Sequence, residues 1–282
     1  LTDVGTFAPR NELIGAIILP TDCPDNSGGS KLALGIPAFS IAFQPIVDIA
    51  MQRTVSFEAL VRGKERQGAA WVLDQISTDN QAAFDTQCRE TAIRLAASLG
   101  LKCQINVNCL PSSLVDIGSA IERTRAVAAT SGLKLSAIVL EITEHEIIAD
   151  RSKFAQAIHE FRRAGVKIAI DDFGAGYSGL NLLAELQPDV LKLDMYLIRD
   201  IQEHGPRQAI VRGILHTCGD LGIDVIAEGV ETIEEFRWCA GAGITLFQGY
   251  LFAKPAFESL PIASIPTLQR LDRHQPRRKP AA

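Results

Sequence analysis

The sequence is short of several things that whole classes of protein require. Its 282 residues hold no apolar run approaching the roughly 18 that a membrane-spanning helix needs. The short apolar stretch within Glu12–Leu19 has neither the basic flank nor the cleavage pattern of a signal peptide. Six cysteines, at 23, 88, 103, 109, 218 and 239, include no C-x-x-C spacing. Most sit in apolar strand or helix patterns, so reduced, buried thiols and a cytoplasmic location are expected. No G-x-G-x-x-G fingerprint opens the first strand–helix unit, which counts against a dinucleotide-binding sheet. The five histidines, at 145, 159, 204, 216 and 274, are dispersed and read as structural or solvated. Aromatic residues are only 6% of the chain, and Trp71 and Trp238 read as packing on helices rather than stacking on a base. Charge of one sign is also missing: 28 basic against 33 acidic residues leave −5. This domain is therefore not expected to capture DNA or an anionic membrane. A phosphate substrate would need metal cations to supply positive charge.

What is present is a strand–helix alternation. Residues 1–37 read as a mixed N-terminal segment and linker, with turn-rich Pro20–Ser30. The chain starts at Leu1 rather than Met, which fits a piece of a longer protein with a sensory or anchoring domain upstream. Strands are expected at Ser40–Val47 and Thr54–Val61, then a helix over Gln81–Leu99. From Cys103 the rhythm is regular. Strands over Cys103–Asn108, Ala137–Thr143, Lys167–Asp172, Asp189–Leu193, Asp224–Ala227 and Thr245–Phe252 alternate with helices over Ser112–Ser131, Arg151–Ala164, Ser178–Leu186, Pro206–Leu221 and Ile233–Ala240. Strands apolar on both faces belong to a parallel sheet covered by helices. About eight of them over this length favour a closed (β/α)8 barrel of the TIM type within residues 38–263. Residues 264–282 are polar, proline-containing and rich in arginine, and read as a flexible basic tail.

The stretch Lys167–Ser178 carries the strongest local signal. A β-branched run ends in Asp171-Asp172, and a glycine-containing turn follows. An isolated Asp-Asp pair is most often a helix cap beside a solvated carboxylate. Here the pattern recurs, with Glu58, Asn108, Glu141, Asp171, Asp172, Lys192, Glu228 and Gln248 at successive strand ends. In a barrel these ends share one rim, where barrel enzymes place their chemistry. Five carboxylates on one rim repel each other and lose hydration unless cations sit among them. Carboxylates with one amide oxygen suit Mg²⁺ or Mn²⁺, and the lack of histidine argues against zinc. A bridging carboxylate with flanking ones allows two ions about 3.5–4 Å apart, an arrangement used for in-line phosphoryl displacement. Lys192 stays charged among them, either holding water or a phosphate oxygen or serving as a structural salt bridge.

Seven ordered motifs then resemble one family. They are Glu58-Ala59-Leu60-Val61-Arg62, Asn106-Val107-Asn108, Leu140–Glu144, Asp171–Ser178, Leu191–Asp194, Ala227–Glu231 and Gln248-Gly249-Tyr250. Over residues 38–258 they resemble the EAL-domain family of cyclic di-GMP phosphodiesterases. The resemblance implies a barrel with an antiparallel first strand, and metal-dependent opening of cyclic di-GMP to linear pGpG. It implies one metal held by Glu58, Asn108, Glu141 and Asp171, and a second by Asp171, Asp172 and Glu228. Lys192 resembles the residue that orients a water, with Glu231 and Gln248 as supporting catalytic residues. Gln44, Leu60, Val61, Arg62, Asp194, Glu231 and Tyr250 resemble substrate contacts, Arg62 to phosphate. Glu144 resembles the residue that pins the loop carrying Phe173 and Gly174, which implies a homodimer. Two features depart from the family pattern. Gly63 stands where a Trp often follows the arginine, and Cys109-Leu110-Pro111 follows Asn108 in place of an aliphatic-Ser pair. Two other readings are weighed: a catalytically silent cyclic di-GMP receptor or protein-interaction module, and a Mg²⁺-dependent barrel lyase. The lyase lacks a second base opposite the metals and leaves Arg62 without a role.

Overall fold

A computed structural model describes residues 36–114, 117–143, 151–175 and 179–267. The chain opens with β1 (Phe39–Asp48) and β2 (Arg53–Gly63), paired antiparallel along their whole length from Phe39↔Gly63 to Asp48↔Arg53. The helices α1 (Ala69–Leu73) and α2 (Gln81–Ser98) follow. After them come β3 (Gln104–Asn108), α3 (Ile117–Thr130), β4 (Ile138–Thr143), α4 (Arg151–Arg163) and β5 (Lys167–Phe173). The second half runs α5 (Gly179–Leu186), β6 (Val190–Leu193), α6 (Met195–Ile198), α7 (Gly205–Leu221), β7 (Asp224–Ala227), α8 (Ile233–Gly241), β8 (Leu246–Phe247) and β9 (Ala256–Phe257).

From β2 to β8 every neighbour is parallel, and β1 closes the ring by pairing antiparallel with both β2 and β8. The result is the expected closed eight-stranded barrel with its first strand reversed. The short β9 adds to β1 at Ala42↔Phe257, on the edge that β8 leaves free. Among the described residues no helix is long and apolar enough to cross a membrane.

Alternation along the strands builds two separate cores. Side chains facing outward, such as Phe43, Phe57, Ile105, Leu140, Ile168, Leu191 and Phe247, join the large cluster between sheet and helices. Side chains facing inward form a small second cluster of Ile46, Val139, Ala169, Val190 and Ile226, with Leu246 against it. Two residues further toward the rim, each of these strands presents a polar side chain to the same interior. Ile46 is matched by Gln44 on the reversed strand. Val139 is followed by Glu141, Ala169 by Asp171, Val190 by Lys192, Ile226 by Glu228, and Leu246 by Gln248. An apolar plug thus floors the site, and the period of two makes the next layer entirely polar.

Three expected elements come out differently. The strand expected over Thr245–Phe252 is only Leu246–Phe247, because Gly249 turns the chain under Val230. A Cβ there would lie 2.0 Å from the Val230 carbonyl oxygen, so only glycine permits the contact. The helix expected from Ser112 begins instead with a single 3₁₀ turn, Pro111–Leu114, before α3. Strand β2 continues five residues past Glu58, to Gly63, so Glu58 lies mid-strand rather than at a strand end.

Candidate metal centre

The polar layer converges on Lys192, whose side chain is 1% exposed. Its ammonium lies 2.8 Å from Glu141 Oε1, 2.8 Å from Glu228 Oε1, 3.0 Å from Asp171 Oδ1 and 3.6 Å from Glu58 Oε2. One cation therefore faces four carboxylates, with Asp172 beside them. Two sets of carboxylates bring ligand oxygens within 4.8 Å of one another: Glu58, Glu141 and Asp171, and then Asp171, Asp172 and Glu228. Asp171 belongs to both.

Backbone geometry explains how adjacent residues serve one site. Asp172 takes a left-handed conformation, φ 54°, and the β5–β6 register slips between Ile170 and Phe173. The extra residue forms a bulge, so Asp171 and Asp172 both remain with the site while Phe173 turns into the helix-side core. The Asp172 N–H donates to Asp171 Oδ1 at 2.9 Å, fixing the bend. Gly174 follows at φ 100°, and a Cβ there would lie 2.4 Å from Leu197 Cδ1 of α6. Glu144 lies outside the described residues.

A chain of amides supports the other side. The Gln248 Nε2 donates to Glu58 Oε2 at 2.5 Å and to Gln44 Oε1 at 3.2 Å, while Gln44 Nε2 donates to the Ala253 carbonyl at 3.1 Å. Gln44 is thus buried and occupied within the protein. Asn106, quoted in the motif but given no role by the sequence reading, donates from Nδ2 to Glu141 Oε1 at 2.8 Å and accepts from Ser56 Oγ. Its position two residues before Asn108 on the same strand face was the available signal. Asn108 ends β3 level with Glu141 and is exposed.

The remaining expected residues divide. Leu60 and Arg62 share the Glu58 face of β2, toward the rim. Val61 lies on the opposite face and packs against the helix-side core, which removes its side chain from the site. Arg62 Nη1 donates to the Val61 carbonyl at 2.7 Å. Burial lowers the Arg62 pKa, opposed by Glu58 and Tyr250. Asp194 caps α6 by accepting from the Tyr196 N–H at 2.7 Å. The Tyr250 ring carries Lys254 Nζ 5.3 Å from its centroid. Glu231 is exposed, outside both oxygen sets, and pairs with Arg199 Nη2 at 2.9 Å.

The electrostatics ask for more positive charge than Lys192 supplies. Burial pushes Glu141 up to about 8, partly offset by Lys192 and reinforced by Glu58 and Asp171. Burial and then Asp171 raise Asp172 to about 7, and burial with Asp171 holds Glu228 well above the carboxylate range. Burial opposes the charge on Lys192, but Asp171, Glu141, Glu228 and Glu58 outweigh it and hold its pKa well above the ordinary value. Among the described residues, two buried oxygens of this site, Glu141 Oε2 and Gln248 Oε1, have no hydrogen-bond partner. An all-oxygen donor set with an orphaned carboxylate oxygen fits a hard divalent cation.

A pH dependence follows. Between the ordinary carboxyl value of 4.5 and about 8, folded Glu141 holds a proton that the unfolded chain releases. Stability of the chelator-treated protein is therefore full below that window and falls as pH rises through it. Divalent cations need deprotonated ligands, so added Mn²⁺ should raise the melting temperature more at pH 8 than at pH 5. Thermal melts in chelator and in Mn²⁺ across this range check both signs.

Comparison with known proteins adds independent findings. A family model described as EAL domain matches residues 32–255. The blue light- and temperature-regulated antirepressor BluF of Escherichia coli is 38% identical over 226 residues, which cover 80% of this chain and 56% of that protein. A cyclic di-GMP phosphodiesterase of Pseudomonas aeruginosa is 31% identical over 227 residues, covering 77% of this chain and 38% of that one. The chain thus spans at most 56% of either relative. Among solved structures, a standalone versatile EAL protein from Vibrio cholerae O395 in its c-di-GMP-bound form superposes with TM-score 0.77 at 42% identity, covering 80% of this chain and 95% of that one. The manganese and cyclic di-GMP complex of Klebsiella pneumoniae BlrP1 gives TM-score 0.77 at 39% identity, over 84% of this chain and 60% of that one.

Proposed function

Because the chain belongs to the EAL-domain family, we propose that it is a divalent-metal-dependent phosphodiesterase that opens cyclic di-GMP to linear pGpG. The observation that carries the reading is the single polar layer in which Asp171 is shared by two oxygen sets. Glu58, Asn108, Glu141 and Asp171 would hold one Mg²⁺ or Mn²⁺, and Asp171, Asp172 and Glu228 a second. Such ions supply Lewis-acid polarisation of a phosphoryl oxygen and lower the pKa of water. The protein's own groups do the rest. Arg62, beside Glu58 on the same strand face, binds a phosphate that the acidic site would otherwise repel. Lys192 orients a water at the phosphorus through its ammonium protons. Gln248 fixes the Glu58 carboxylate, and Leu60, Asp194 and Tyr250 line the approach for the guanine and sugar. The reading includes a homodimer and a cytoplasmic location. It also includes an upstream sensory domain, since BluF is a light- and temperature-regulated protein matched over only part of its length.

The antirepressor name of that relative also favours a second reading, a catalytically silent module that binds a protein partner or cyclic di-GMP without turnover. One experiment separates the two. The purified chain is incubated with cyclic di-GMP and Mn²⁺ or Mg²⁺, with and without chelator, and the products are resolved by chromatography. Metal-dependent appearance of pGpG is expected. Saturable binding with no product at any metal concentration would replace the enzyme with the receptor.

A further inference from the structure

The buried ion pair of α2 takes no part in the chemistry above. Asp85 and Arg89, one helical turn apart, are 6% and 3% exposed. Arg89 Nη1 donates to Asp85 Oδ2 at 3.0 Å and lies 3.2 Å from Cys109 Sγ. The other oxygen, Asp85 Oδ1, accepts from the Leu110 N–H at 3.1 Å. The Cys109 N–H in turn donates to the carbonyl of Glu141 at 2.9 Å. The pair therefore grips the two residues that follow Asn108, and those residues are tied to the strand that carries Glu141.

Stability alone does not account for this arrangement. A buried ion pair loses hydration on both partners, and apolar residues of similar volume often serve a fold as well or better. An apolar pair could not accept the Leu110 N–H or hold the Cys109 sulfur. We propose that Asp85 and Arg89 are positioning residues for the metal centre. They fix the Cys109–Leu110 turn and so hold the Asn108 amide level with Glu141, where both can share one cation. The inference rests on the reading of Asn108 as a metal ligand.

Mn²⁺ titrations of the purified chain, followed by melting temperature and by calorimetry, test it without recourse to activity. Three variants accompany the parent: the double replacement Asp85→Leu with Arg89→Met, the single Asp85→Asn, and Val211→Ala in the core beneath α7. The double variant is expected to melt cooperatively, with half-saturating Mn²⁺ raised about tenfold or more, as when an outer-shell contact to a ligand is lost. Asp85→Asn keeps an acceptor but loses its charge, and should raise it at least about threefold on the same scale. Val211→Ala should lower the melting temperature and leave half-saturation unchanged. Half-saturation within twofold of the parent in the double variant overturns the proposal, and so does an unmoved Asp85→Asn should the double variant fail to fold. A parent with no Mn²⁺ response that Glu141→Gln removes overturns the metal reading itself, and this inference with it.

Discussion

Asp171→Asn should lower the rate of cyclic di-GMP hydrolysis by about 10³-fold or more, a loss of about 4 kcal/mol in barrier lowering. The substitution keeps shape and volume but removes the one carboxylate common to both oxygen sets. If it bridges two cations, both lose a ligand at once, and the negative charge that offsets their mutual repulsion is lost. The metal-free protein should respond in the opposite direction. Asp171 is a leading contributor to the raised pKa of Glu228 and of Asp172, so removing its charge relieves repulsion. A higher melting temperature in chelator combined with lost activity in Mn²⁺ is the expected pair of results. Circular dichroism melts and product chromatography measure both. Glu231→Gln offers the contrast. Exposed and paired with Arg199, Glu231 should matter far less, with activity falling by less than about tenfold.

Lys192→Met should be the most damaging single change to the metal-free fold. The ammonium lies within 3.0 Å of Glu141, Asp171 and Glu228. Removing one partner of a buried charge cluster typically costs about 3–5 kcal/mol, because the opposing charges are left unpaired. The loss should be greatest at high pH, where the carboxyls must ionise, and least near pH 5, where protons take the place of the missing cation. Mn²⁺ should restore much of the stability by binding the same oxygens. It should not restore turnover, which is expected to stay about 10²–10³-fold below the parent for want of the group that orients water. A Lys192→Met protein as active as the parent would remove Lys192 from the mechanism and leave it a structural salt bridge.

The sequence shows the barrel clearly because its two periodicities are both strong. Strands such as Ile138–Thr143 and Lys167–Phe173 are apolar on both faces, and the intervening helices repeat at regular distances. The reversed first strand is different. Nothing in the residues of β1 states its direction, and only the resemblance to a family supplied it. The rim residues were visible because each stands where an apolar strand pattern stops, most of them about one strand–helix unit after the last. That rule misplaced Glu58, since β2 continues to Gly63 through its long antiparallel pairing with β1, and the strand end gave no boundary. It also could not show how Asp171 and Asp172 serve one site, because the bulge depends on the positive φ of Asp172. Val61 was drawn into the site by its place in a motif, whereas alternation alone puts it on the opposite face from Leu60 and Arg62. Asp85, Arg89 and Asn106 were hidden for another reason. Their partners, Leu110, Cys109 and Glu141, lie 25, 20 and 35 residues away in the chain, and no local pattern reports such contacts.

The account turns on whether this one layer of oxygens holds divalent cations. Crystals grown with Mn²⁺ and measured at the manganese absorption edge would show the ions directly. Two anomalous peaks are predicted, one among Glu58, Asn108, Glu141 and Asp171 and the other among Asp171, Asp172 and Glu228. No peak inside the barrel mouth at saturating Mn²⁺, with Lys192 still bonded to the same carboxylates, would contradict the account.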